Sequence, residues 1–287
     1  MNDTFDLDGY LRRIGFAGEA RPDLATLAAI HARHVAAIPF EGIDPLLGRP
    51  VRLDLASLQA KMVLSRRGGY CFEQNTLFKA ALEAIGFDVT VLAGRVAWAG
   101  DEAPVGARSH MILAVDLPEG RYIADVGFGA HLLDAPLRFL PDIEQRTAWA
   151  LYRIERDGSE FALAARYGDR WRRAYVFDLT PQLPADCAMA NWYTSTNPES
   201  LFTTVLIAER LCPEVRRNLV NTWLTERWRD GRVDERNLAS AAELDQVLDQ
   251  LFDIESPVSA SHLFERIAPP AAQVATPSPR PRLAEPA

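Results

Sequence analysis

The chain has 287 residues, 48% of them hydrophobic and 24% charged, with a formal net charge of -8. That length suits about two domains with real cores, and the negative balance argues against nucleic acid or an anionic membrane as principal partner. Three widely separated cysteines, Cys71, Cys187 and Cys212, form neither a disulfide framework nor a zinc-site spacing.

In chain order, the opening segment is acidic and no apolar run is long enough to span a bilayer, so a cytoplasmic protein is expected. Asp23 is placed to cap a helix from Leu24, with Leu24, Leu27, Ala28, His31, Val35 and Ile38 on one face. His31 and His34 on that helix read as core histidines, Pro39 ends it, and Phe40 falls in a loop. A second helix runs from about Asp54 to Val63. Arg66-Arg67-Gly68-Gly69-Tyr70-Cys71-Phe72-Glu73-Gln74-Asn75 follows, a glycine turn that runs into a helix carrying Phe78, Ala81, Leu82 and Ile85 and ending at Gly86. Cys71 then sits in the first turn, where unpaired N–H groups and the helix dipole favour a thiolate. The same spacing also suits a small buried hydrophobe, the role expected of Cys187 and Cys212.

At Phe87 the character turns β-rich. Phe87–Leu92 is strand-like, and Ser109–Val115 and Arg121–Gly129 are apolar runs joined by the turn signal Pro118-Glu119-Gly120. Each run carries one polar residue that needs a partner if buried, His110 and Asp125. A turn centred on Glu119 offsets these two by about three residues in an antiparallel ladder. Asp157-Gly158 and Gly168-Asp169 mark two further hairpins, and the run of strands with short turns points to an antiparallel barrel or sheet. Arg166, Arg170, Arg172 and Arg173 in this region are candidates for an anionic partner, against a solvated strand edge as the ordinary reading. Farther on, Phe202–Ile207 and Val220–Leu224 read as strands, and Ser240-Ala241-Ala242-Glu243 as a capping box before an amphipathic helix. Beyond Pro269 the Pro- and Ala-rich sequence is too poor in apolar residues to order itself. Cys, His and Asp in that order suit a nucleophile, a base and a group that orients the base.

The segments His34–Glu41, Arg66–Asn75, Ser109-His110, Tyr122–Gly129 and Asn197–Phe202 resemble the arylamine N-acetyltransferase family, also named for N-hydroxyarylamine O-acetylation. The resemblance spans about the first two thirds of the chain. One departure is Gly42, where the family usually has Asn. The resemblance implies an α+β fold: a helical bundle at 1–86 carrying the nucleophile, a central antiparallel β-barrel at 87–196 carrying His and Asp, and an α/β lid at 197–268, with the disordered tail that composition predicts at 269–287. It implies Cys71 as acetyl-accepting nucleophile, His110 as base and Asp125 as orienting acid, a cysteine-protease-like core. Phe40, Phe128 and Phe202 are the expected acceptor wall. Gly106, Ala107, Ser109, Gly127 and Gly129 are the expected coenzyme contacts, with Gly127 and Gly129 also offering N–H donors. Glu41 and Arg67 form an expected supporting ion pair.

The implied co-substrate is acetyl-CoA, without a metal. The implied partners are aromatic amines, hydrazines or hydroxylamines, and the protein a monomer or homodimer. An amide synthase with a larger acyl donor, a thiol hydrolase or transglutaminase-like enzyme, and a binding module that has lost turnover are the competing readings.

Overall fold

The computed structural model describes residues 5–98 and 106–268; the tail expected at 269–287 lies outside them. The first part is helical: α1 (Leu7–Arg13), α2 (Leu24–Ala37), α3 (Ile43–Leu46), α4 (Leu55–Leu58) running into a π-helical turn (Gln59–Leu64), and α5 (Cys71–Ile85). Asp23 caps α2 as its position predicts, accepting from Thr26 N at 2.8 Å. Gly86 ends α5 in the left-handed conformation, with φ +106°. Phe40 lies not in a loop but in a two-residue strand, β1 (Phe40–Glu41), because its backbone finds a partner strand far along the chain.

The central layer is an eight-stranded antiparallel sheet: β2 (Asp88–Val96), β3 (His110–Leu117), β4 (Gly120–Ala124), β5 (Leu137–Arg138), β6 (Glu144–Arg146), β7 (Leu151–Asp157), β8 (Glu160–Tyr167) and β9 (Arg170–Phe177). Their spatial order is β5-β4-β3-β2-β9-β8-β7-β6, which leaves β5 and β6 as the two edges. The Gln145 side chain bridges these edges, accepting from Arg138 N at 2.9 Å and donating to Arg138 O at 2.8 Å. A side-chain amide thus stands in for ladder bonds, and the sheet curls into a nearly closed barrel.

The last part begins with α6 (Pro184–Thr196) and α7 (Leu201–Thr204). A second antiparallel sheet follows, ordered β1, β10 (Ile207–Leu211), β11 (Val215–Val220), β12 (Trp223–Trp228) and β13 (Val233–Asn237). Then come α8 (Ala241–Val247), a π-helical turn (Leu248–Phe252) and α9 (Ala260–Ile267). Two strand expectations fail here. Phe202–Ile207 begins as a helical turn because Ser200 caps it, accepting from Phe202 N at 3.3 Å, and the Thr203 hydroxyl donates back to Ser200 O at 2.9 Å. Val220–Leu224 is the hairpin between β11 and β12, with Val220 opposite Trp223 and Asn221 at φ +52°. Cys187 and Cys212 are also less enclosed than expected, since both are only partly buried. Ser240 caps α8, accepting from Glu243 N at 3.2 Å, but Glu243 reaches back to Ala239 N rather than to Ser240.

Apolar residues alternate along β3 and serve two cores. Met111, Leu113 and Val115 pack against the helices, whereas Ile112 and Ala114 face the barrel interior. Pairing of Leu117 with Gly120 and of Leu113 with Ala124 sets a two-residue turn at Pro118-Glu119. Extended, that register puts His110 opposite Gly127, two residues from Asp125 rather than three. The difference decides the site, because an odd offset would send the two side chains to opposite faces.

His31 and His34 are fully buried. His34 Nε2 is 2.7 Å from Gln74 Oε1, whose amide donates to Pro39 O at 2.7 Å; Nδ1 is 2.8 Å from the Tyr10 hydroxyl. This neutral imidazole donates at Nε2 and accepts at Nδ1. Burial pushes the pKa of His31 down to about 4 and that of His34 down to about 3. Unfolding returns both toward 6.5, so the unfolded chain binds more protons below that pH. The stabilisation is complete above pH 6.5 and is lost as pH falls through the folded values, at up to ~1.4 kcal/mol per pH unit for each group. The His34→Gln variant should therefore lose stability less steeply on acidification than the parent, by about that slope, despite lower stability at neutral pH. Urea titrations across this range measure it, and equal slopes would refute it.

Candidate active site

The turn that delivers Cys71 is held by buried charge. Gly68 packs where a side chain cannot, since a Cβ there would lie 1.9 Å from Pro39 O. Arg67 Nε donates to Glu41 Oε1 at 2.8 Å, as the sequence predicts, and Glu41 N donates to Gly69 O at 3.0 Å. The π-helical turn before it brings Lys61 Nζ to 2.6 Å from Asp44 and 2.7 Å from Glu73. Glu73 in turn accepts from Tyr70 N at 3.1 Å, covering an N–H at the start of α5. Burial raises the Glu73 pKa, with Lys61 opposing. On the outer side, Arg66 pairs with Asp249 at 2.7 Å and Asp253 at 2.8 Å, and its carbonyl accepts from Glu255 N at 2.7 Å. Truncating one member of such a buried network leaves an uncompensated charge.

Cys71, 3% exposed, places Sγ 3.7 Å from Ser109 O and within hydrogen-bonding reach of His110. His110 Nε2 lies 2.6 Å from Asp125 Oδ2. Asp125 Oδ1 accepts from Asn75 Nδ2 and from Gly127 N, each at 2.9 Å. Asn75, one turn along α5 from Cys71, also donates to Met111 O at 2.8 Å and accepts from Val126 N at 3.1 Å. The Asp125 backbone N–H points at His31 Nε2, 3.3 Å away. Helices and barrel are thus tied to one carboxylate.

The electrostatics follow from this packing. Burial works against charge on His110, but the Asp125 carboxylate and the hydrogen bonds to Asp125 and Cys71 outweigh it and lift its pKa to about 10. For Asp125, burial pushes up, while the His110 charge and the bonds from His110, Asn75 and Gly127 N pull it below the ordinary range. The pair is therefore imidazolium and carboxylate near neutral pH, and an imidazolium stabilises a thiolate placed beside it.

A cavity of about 370 Å³ opens over Cys71. Phe40, Phe128 and Phe202 line it, and so do Ala107, Ser109, Gly127 and Gly129. Gly106 does not; its carbonyl accepts from Arg95 at 2.8 Å. Gly127 departs from expectation in another way. Its N–H is already given to Asp125, so it is no donor to a ligand, and the need for glycine is steric: a Cβ would lie 2.7 Å from Cys71 Cα. None of the four arginines proposed for an anionic partner lines the cavity. Arg173 pairs with Glu155 at 2.8 Å, Arg166 lies 3.7 Å from Asp169, and Arg172 stacks on the Trp98 ring at 4.1 Å. Trp98, Tyr193, Thr194 and Glu199 also line it and went unpredicted, since only folding brings them to Cys71. Among the described residues, no group of three His, Cys, Asp or Glu is placed to hold a metal ion, and no helix is long and apolar enough to cross a membrane.

Helices supplying the thiol and a barrel supplying the imidazole and carboxylate define an α+β protein with a cysteine-protease-like Cys-His-Asp core. Residues 23–260 match the family model described as N-acetyltransferase. The chain is 43% identical over 252 residues to an arylamine N-acetyltransferase of Mycolicibacterium smegmatis, covering 86% of this chain and 90% of that one. It is 37% identical to an arylamine N-acetyltransferase / N-hydroxyarylamine O-acetyltransferase of Salmonella typhimurium, covering 88% and 89%. The fold is similar to that of the Mycobacterium marinum arylamine N-acetyltransferase solved with CoA, with a TM-score of 0.86 and 36% identity over 91% of this chain and 99% of that one. The chain belongs to the arylamine N-acetyltransferase family of acyltransferases.

The electrostatic account predicts the effect of one substitution. Asp125→Asn removes the charge that offsets burial, so the His110 pKa should fall from about 10 to below the ordinary 6.5. A nitrogen-15 NMR titration of the imidazole reads this shift. A value that stays near 10 would show that Asp125 is not the cause.

Proposed function

We propose that this chain transfers acetyl groups from acetyl-CoA, by way of a Cys71 thioester, to the nitrogen of arylamines or arylhydrazines and to the oxygen of N-hydroxyarylamines. The observation that carries this reading is the Cys71–His110–Asp125 cluster at the floor of an aromatic-walled cavity. The names and the CoA complex of the relatives support the donor and the acceptor class.

In the first half-reaction Cys71 Sγ, its proton held by His110, attacks the carbonyl carbon of the donor thioester. The bond from carbon to the coenzyme sulfur breaks, and His110 returns the proton to that leaving sulfur. One thioester replaces another, so the acyl group stays activated at little cost in free energy. In the second half-reaction the acceptor nitrogen attacks the acetyl carbon and the bond to Cys71 Sγ breaks. His110 takes the proton that the amine sheds. Asp125 fixes the ring and offsets its charge in both steps, and the proton transfers by His110 are of a kind worth about 10²–10⁴-fold. Free coenzyme leaves before the acceptor enters, which makes the scheme ping-pong.

Water competes with the amine for the acyl group, and the enclosed sulfur with its Phe40 and Phe128 wall works to exclude it. We assign Ala107, Ser109 and Gly129, beside Cys71 in the cavity, to the thiol end of the coenzyme. Phe202, whose ring centroid lies 6.0 Å from that of Phe40 and 5.2 Å from that of Tyr70, is assigned to the aryl acceptor.

Acetyl-CoA without acceptor should leave one acetyl-sized mass increment on the Cys71 peptide, and adding an arylamine should discharge it. Cys71→Ala should lose about 10³-fold or more in transfer while changing stability by no more than about 1–2 kcal/mol. An unmodified Cys71 under fresh acetyl-CoA, or an active Cys71→Ala protein, would defeat the proposal. Acylation followed only by hydrolysis would favour a thiol hydrolase instead.

A further inference from the structure

The cavity over Cys71 has two unlike ends. On the barrel side Trp98 and Phe128 line it and are buried, whereas on the α6 side the lining residues Tyr193, Glu199 and Leu201 are exposed. Tyr193 is 46% exposed and Leu201 42%, and the α6 surface continues outward through the exposed Trp192 and Met189. Among the described residues that line the cavity, Glu199 is the one carboxylate of the exposed end, and no lysine or arginine is present. Nor does Glu199 take part in any ion pair among the described residues.

Its backbone is fixed. Glu199 N donates to Asn197 Oδ1 at 3.1 Å, Ser200 N donates to Asn197 O at 2.8 Å, and the Ser200 hydroxyl donates to Thr194 O at 2.6 Å. The carboxylate therefore rides on a turn pinned to the end of α6 rather than on a free loop. An aromatic face and an unpaired carboxylate at one end make a cation-accepting rim. The chain's net charge of -8 adds a field of the same sign.

We propose that Glu199 is a specificity-determining residue that favours arylamine or arylhydrazine acceptors carrying a cationic substituent at the end remote from the reacting nitrogen, and disfavours those carrying a carboxylate there. This rests on the acetyltransferase reading above and names the acceptor subclass within it. With the reacting nitrogen at Cys71, the far end of a para-substituted ring points out toward the α6 rim, where Glu199 and Tyr193 meet it. A carboxylate at that end would find a like charge and no basic side chain to answer it.

The test compares three para-substituted anilines under acetyl-CoA: 4-aminobenzyl-trimethylammonium, its uncharged isostere 4-neopentylaniline, and the anionic 4-aminobenzoate. The readout is the ratio of kcat/KM values in the parent and in Glu199→Gln, which keeps the shape of the side chain and removes its charge. The cationic-to-neutral ratio should fall about threefold to fivefold in Glu199→Gln, as expected for an exposed charge pair. The carboxylate-to-neutral ratio should rise in the same variant, and Glu199→Asp should retain most of the parent's preference. High salt should compress the parent's ratios and leave those of Glu199→Gln nearly unmoved. Ratios identical in parent and variant, or all three acceptors altered by one common factor, would overturn the assignment. Failure of both proteins to acetylate even the neutral amine would instead overturn the acetyltransferase reading, and this assignment with it.

Discussion

The contact between His110 and Asp125, 2.6 Å in length and shut away from water, is the constraint around which this protein is built. A carboxylate fully enclosed by protein is costly unless its lone pairs are met. Here a barrel strand supplies the imidazole, α5 supplies Asn75, and the chain just past β4 folds back to supply Gly127 N. Asn75 is itself tied to Met111 O and Val126 N, so the demand of one buried charge is spread across both layers. The Cys71 sulfur inherits its surroundings from this arrangement, because Cys71 and Asn75 share the first turns of one helix.

A second group of buried charges lies beneath. Lys61, Arg67, Glu41, Asp44 and Glu73 share two cations among three acids behind the Gly68-Gly69 turn. Such networks give little net stability over apolar packing, and their value lies in specifying one arrangement. Here the arrangement specified is the direction in which α5 begins. The π-helical turn at Gln59–Leu64 is part of the same device, since it carries Lys61 to the acids.

Much of this was legible in the chain. The helix ends at Asp23 and Gly86, the hairpins at Asp157-Gly158 and Gly168-Asp169, and the Cys, His and Asp candidates rest on local chemistry that tertiary packing leaves intact. The misreadings have physical causes. Phe202–Ile207 is rich in β-branched residues, yet Ser and Thr hydroxyls bonding to nearby backbone turn its first half into a helix. Register is a whole-turn property, so moving the turn by one residue between Pro118 and Gly120 decides whether His110 and Asp125 share a face. Gly127 looked like a donor to a ligand because sequence cannot show that a neighbouring carboxylate has already claimed its N–H. Trp98, Tyr193 and Glu199 were invisible for a simpler reason: each is an ordinary residue in its own segment, and only the assembled layers make them walls of one cavity.

The absence of a side chain at Gly127 has a consequence of its own. There the barrel's chain rests directly on the first residue of α5, main chain against main chain. The gap between the two layers at the sulfur is consequently gauged by peptide atoms and not by the size of any core residue. A change in the bulk of a side chain deeper in either layer therefore does not set the distance at which the two backbones meet beside Cys71.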